Sequence, residues 1–110
     1  MTSLHAPIEI TLDGCPSGHI GLREASPPLA WVVPEAPSGW VQTSAEVELT
    51  RGGTTELVRI EGPQEVGVSW PFSPLRSRES VALRVRVAGQ DGWSDWSAEA
   101  QFEAGLLEPG

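Results

Sequence analysis

Tyrosine, lysine and asparagine are absent from these 110 residues, and cysteine occurs once. A lone Cys15 excludes an internal disulfide, so packing and hydrogen bonds must hold the fold. Without asparagine there is no N-glycosylation acceptor. Every basic side chain is an arginine, and the net charge is −8. Such a balance repels phosphate backbones and anionic lipid, which sets nucleic-acid and membrane partners aside. No window approaches the roughly 18 apolar residues that a membrane span needs. The opening Met1–Ile10 has no basic stretch followed by a long apolar run, so no signal peptide is read and a cytoplasmic setting is the default expectation. The lysine-poor, Ala/Gly/Pro/Arg-rich composition points to a high-GC bacterial source.

Catalytic chemistry is missing too. There is no Ser-His-Asp or Cys-His arrangement, and no cofactor motif. Cys15 and His19 have a metal-like spacing, but two ligands fall short of the four of a structural zinc site. No catalytic, cofactor or metal residue is assigned.

What is present is turn chemistry around short alternating runs. Ten prolines and twelve glycines punctuate the chain. Ile8, Ile10 and Leu12 alternate with polar residues, as do Leu29, Trp31 and Val33. From Trp40 the series Val41, Thr43, Ala45, Val47, Leu49 predicts a half-buried strand, with Glu46 and Glu48 on a solvated face. Thr54–Ile60 and Val66, Val68, Trp70 predict two more. Val81, Leu83, Val85 and Val87 point inward with Arg84 and Arg86 outward, and Ala100 and Phe102 resume the inward pattern. Antiparallel pairing of these last two strands would set Arg84 and Arg86 opposite Glu99, Gln101 and Glu103. About seven short antiparallel strands without a helical period argue an all-β fold, a β-sandwich in preference to a small barrel. Trp31 is the candidate centre of its core.

Between the last strands lies Trp93-Ser94-Asp95-Trp96-Ser97. Two tryptophans three apart share one side of a polyproline-II stretch, where the guanidinium groups of Arg84 and Arg86 could interleave with them. The segment resembles the WSxWS motif of class I cytokine receptors. The absence of a signal sequence, a cysteine pair and a membrane span argues for the same stacking device in a different protein, leaving a receptor-like protein-binding domain as a remote alternative.

A wider resemblance covers Gly21 to Leu107. Gly21-Leu22-Arg23-Glu24-Ala25-Ser26-Pro27-Pro28-Leu29-Ala30-Trp31, then Gln42-Thr43-Ser44-Ala45-Glu46-Val47, then Arg84-Val85-Arg86-Val87, Trp96-Ser97 and Phe102-Glu103-Ala104-Gly105-Leu106-Leu107 are similar, in order, to the N-terminal domain of bacterial α-L-rhamnosidases. The sequence departs from that pattern at Leu83, where the family has an aromatic, and at Ala88-Gly89, where it often has Trp-Asp. The resemblance implies an immunoglobulin-like or fibronectin type III-like sandwich over 7–107, after a flexible N-terminus (1–6) and before a linker starting at 108–110. Leu75 resembles the leucine six residues before the corner tyrosine of fibronectin-type domains. Val81 stands in the tyrosine's place, so the corner is expected to be loosely fixed.

The resemblance further implies a parent hydrolase that removes terminal α-L-rhamnose by inversion, with its acid and base in a barrel domain outside this chain. Inverting glycosidases need carboxyl groups about 6.5–9.5 Å apart across a cleft; Glu46 and Glu48 could meet the distance, but nothing predicts the cleft. The expectation is a non-catalytic scaffold packed on neighbouring domains of the parent. A carbohydrate-binding module is the alternative. Trp40, Trp70, Leu106 and Leu107 are the candidates for an interface or a sugar contact, whereas Trp31, Arg84, Arg86, Trp93, Trp96 and Phe102 are assigned to structure.

Overall fold

Two alternating runs form the centre of the larger sheet. β4 (Ser44–Arg51) buries Ala45, Val47 and Leu49; β6 (Ser80–Gly89) buries Val81, Leu83, Val85 and Val87. They pair antiparallel with Val47 opposite Val85 and Leu49 opposite Leu83, so the apolar residues of both fall on one face. The computed structural model describes residues 6–34, 38–90 and 92–107. The expected linker at 108–110 and all but Ala6 of the expected flexible N-terminus lie outside the described residues.

The remaining strands are β1 (Ile8–Leu12), β2 (Ile20–Leu22), β3 (Leu29–Val32), β5 (Thr54–Glu61), β7 (Gly92–Trp93) and β8 (Ala100–Ala104). The larger sheet runs β2-β8-β6-β4-β5, with β7 paired to the end of β6; β1 and β3 make the second, two-stranded sheet. Among the described residues eight strands are therefore present, one of them only two residues long, and β2 runs parallel to β8 where the other pairings are antiparallel. The apolar faces of both sheets close on one core that holds Leu12, Leu29, Trp31 and Phe102.

Trp31 is 1% exposed. Its Nε1 donates to Gln42 Oε1 (3.2 Å), while Gln42 Nε2 donates to the carbonyls of Gly62 (3.1 Å) and Gln64 (3.0 Å). A buried indole N–H needs such an acceptor. Gln42 therefore turns inward and breaks the expected phase: Val41 is 54% exposed, Thr43 is exposed, and the strand begins at Ser44.

Two other expectations are corrected. Val66, Val68 and Trp70 do not form a strand; Val68 makes one bridge to Leu29, and Val66 is 69% exposed. Gly67, at φ +64°, turns the chain there, and the run lies between Pro63 and Pro71. Arg84 and Arg86 face Glu48 and Glu46 on β4 rather than residues of β8. The β6–β8 pairing covers only Ser80–Leu83, so β8 never reaches the two arginines. Glu46 and Glu48 are consequently half-buried and ion-paired, not solvated.

The corner before β6 is tied by an arginine. Arg51 Nη1 donates to Ser73 O (3.0 Å), Nη2 to Pro74 O (3.1 Å) and Nε to Glu79 Oε2 (3.0 Å). Leu75 is buried and its amide donates to Ala25 O (2.7 Å). Five charge-assisted contacts thus replace the phenol expected to be missed, counting those to Ser73 Oγ and Glu79 Oε1.

The Arg51 hydrogen bond is the main reason that the Glu79 carboxyl titrates below the ordinary 4.5. A depressed folded value means that this contribution is complete above 4.5 and is lost as the pH falls through the folded value. Urea unfolding of wild type and Glu79→Gln between pH 7 and pH 3 should therefore converge at the acid end. A constant gap between them would contradict the pairing.

Candidate functional site

The Trp93–Ser97 segment lies along the upper half of β6, where β8 does not reach. Ser94 N donates to Val87 O (2.8 Å) and Val87 N donates back to Ser94 Oγ (3.1 Å). Ser97 repeats the arrangement on Val85, at 2.9 Å both ways. Each serine thus stands in for a strand residue, its hydroxyl accepting the N–H that a neighbouring carbonyl would accept. The hydroxyls then donate to Asp95 O and Ala98 O, both at 2.9 Å. Ser94 and Ser97 are buried, so every donor in this exchange depends on its partner. Ser97→Ala would strand the Val85 N–H and should cost about 1–3 kcal/mol, read as a lower urea midpoint at unchanged slope.

Pinning the serines inward turns Trp93 and Trp96 outward, over the arginine face. Arg84 Cζ lies 5.0 Å from the Trp96 ring centre, and Arg86 Cζ lies 4.8 Å from both Trp96 and Trp93. Arg59, from β5, adds a further cation 5.4 Å from Trp93. The order of contacts is Arg84, Trp96, Arg86, Trp93, Arg59, so each indole meets two guanidinium groups. Each arginine also holds its own carboxylate: Arg84 Nε to Glu48 at 2.8 Å, Arg86 Nε to Glu46 at 2.7 Å, and Arg59 Nε to Glu61 at 2.7 Å. The ladder is therefore internally neutralised. Each cation–π contact contributes about 0.5–1 kcal/mol.

Arg59 was not singled out from the sequence. The register supplies the signal: Glu46 sits between Arg86 on one side and Arg59 on the other. Alternation within one run says which face a residue takes but not which strand lies beside it.

The other candidates are spread over the surface. Trp40 lies against Gly89, where an added Cβ would come within 2.2 Å of its Nε1, so only glycine admits this approach. Trp70 Nε1 donates to Ser73 O (2.9 Å), and its ring meets Phe72 edge-on at 5.3 Å. Leu107 packs against the core with its amide on Ser77 Oγ (2.8 Å), whereas Leu106 is 77% exposed. Trp31 and Phe102 are core residues. No group of three or more potential metal ligands occurs among the described residues.

The family model described as the Rha78A-like, N-terminal immunoglobulin domain matches residues 16–108. A search of curated proteins gave no match. Among solved structures, an α-L-rhamnosidase from Aspergillus terreus is 33% identical with a TM-score of 0.83, over 94% of this chain and 12% of its own. An α-L-rhamnosidase from Streptomyces avermitilis, complexed with L-rhamnose, is 25% identical with a TM-score of 0.78, over 92% and 10%. An α-L-rhamnosidase from Dictyoglumus thermophilum shares the fold at 15% identity and a TM-score of 0.84, over 97% and 13%. The chain thus spans about a tenth of the length of these proteins, and it belongs to the family of Rha78A-like N-terminal immunoglobulin domains.

Proposed function

We propose that this chain serves as the non-catalytic N-terminal sandwich of an α-L-rhamnosidase, a scaffold over 7–107 that leads at 108–110 into further domains. Hydrolysis of terminal α-L-rhamnose is then the work of carboxyl groups outside it. The carrying observation is the state of the tryptophans. Trp31 is buried, Trp93 and Trp96 each meet two guanidinium groups, and Trp70 is engaged by Phe72. A sugar stacks on a free aromatic face; Trp93 is 37% exposed, but its ring is already met by Arg86 and Arg59. Two apolar grooves among the described residues, between Pro7–Thr11 and Ser97–Ala100 and around His19, Ile20 and Phe102, contain no tryptophan.

The alternative of carbohydrate binding rests on Trp40, which lines a shallow depression with Val33, Val41, Gln42, Pro63 and Glu65. Titration with L-rhamnose and a rhamnosyl glycoside, following tryptophan emission, should give no change up to millimolar sugar. A saturable change abolished by Trp40→Ala would replace the scaffold reading with the binding one. The 110-residue chain should be inert on a chromogenic rhamnoside that the parent enzyme cleaves.

A further inference from the structure

We propose that the end of the sandwich from which the chain emerges is a basic docking face for an acidic, partly apolar surface of the polypeptide that follows it. The proposal rests on the parent-enzyme reading above. Three backbone hydrogen bonds assemble this end: Leu75 N to Ala25 O (2.7 Å), Arg78 N to Gly105 O (2.9 Å) and Gly105 N to Leu22 O (2.9 Å). They bring the segments that carry Arg23, Arg76 and Arg78 to the end of the fold that also holds the exposed Leu106.

The distribution of positive charge singles out this end. Four of the seven arginines, at 51, 59, 84 and 86, are tied to carboxylates within the domain. Arg23, Arg76 and Arg78 are exposed and make no ion pair among the described residues. Glu24 stands beside them, and Glu79, held mainly by Arg51, also feels the charge of Arg76. In a chain of net charge −8, these three cations gather at the end of the fold that holds Leu107, the last described residue.

Arg78 adds an independent mark. Its φ is +61°, a region where glycine is free and an L side chain is strained, as it is at Glu9 and Asp13. The guanidinium makes no hydrogen bond within the described domain that would offset this strain. The occupant follows from position. The matched relatives are α-L-rhamnosidases roughly eight to ten times longer than this domain, and the family places it at their N-terminus, so the next surface the chain can meet is its own continuation. Opposite charge at such a contact fixes orientation more than it adds affinity.

Amide hydrogen exchange of the full-length parent and of the 110-residue chain tests this. Residues 23–26, 75–79 and 104–107 should exchange at least about tenfold more slowly in the parent. Arg23→Glu with Arg76→Glu should bring the two within about twofold, whereas Glu56→Arg with Glu65→Arg should leave the difference intact. Neither Arg23 nor Arg76 uses its side chain in a hydrogen bond among the described residues, and Arg76 acts on the fold only through its charge near Glu79, so the isolated double variant should stay folded and melt only a few degrees below wild type. Equal exchange in the two forms, or protection that survives the charge reversal, overturns the docking face. Rhamnoside hydrolysis by the same parent preparation is read separately, so loss of the enzyme reading and loss of the docking face give different results.

Discussion

Trp31→Ala should destabilise the domain by about 3–5 kcal/mol, a fall in Tm of roughly 15–25 °C for a chain of this length. Two losses combine. The cavity would open between the sheets, where Leu12, Leu29 and Leu83 are completely buried and have no room to collapse inward. The polar part is separate: Gln42 Oε1 would lose the indole N–H while its amide stayed anchored on Gly62 and Gln64. Trp31→Phe should isolate much of the second loss at about 1–3 kcal/mol, and Trp31→Phe with Gln42→Leu should recover part of it. Thermal and urea unfolding of the three variants decide the matter. A cost below about 1 kcal/mol for Trp31→Ala would remove Trp31 from the centre of the core.

Arg86→Ala should be the most damaging substitution on the outer face, at about 2–4 kcal/mol. Arg86 is the ladder member that touches both tryptophans, so two ring contacts go with it. Its carboxylate partner is the more serious loss, because the Glu46 side chain is only 13% exposed and would lose its ion-pair partner, leaving Arg59, already held by Glu61, as the cation beside it. Arg86→Lys keeps the charge but not the planar stack or the fixed fork of donors, and should fall between wild type and alanine. In a double-mutant cycle with Glu46→Gln, the second change should be much less costly on the Arg86→Ala background. Additive effects would mean that the pair is a crystal-like juxtaposition without coupling. Near-UV circular dichroism should weaken as Trp93 and Trp96 lose their fixed environment.

The difference between legible and illegible features is physical. Period-two alternation made Ala45, Val47, Leu49 and the valines of β6 readable, because a residue's face depends only on its neighbours in the chain. Partner strands depend on register and on which edge is already occupied. Hence Arg84 and Arg86 were expected against β8, which stops short of them, and Arg59 was not expected at all. Gln42 escaped for a related reason: a polar residue turns inward when a distant group needs it, here the Trp31 indole. The missing tyrosine was visible, but its replacement was not. Arg51 reaches the corner from the end of another strand, and no local pattern links it to Ser73, Pro74 and Glu79.

The parallel pairing of β2 with β8 bears on how the molecule is made. It joins Ile20 to Glu103, a separation of 103 − 20 = 83 residues. The β4–β5 hairpin needs only the two-residue turn at Gly52-Gly53 and can form as soon as its residues are available. By contrast, β2 has no sheet neighbour until nearly the whole domain has left the ribosome. Loop closure over that distance slows folding relative to local pairing. The Gly21 region should therefore remain without its strand partner longest on a nascent chain, and pulse-labelling during synthesis should find it the last part to gain protection.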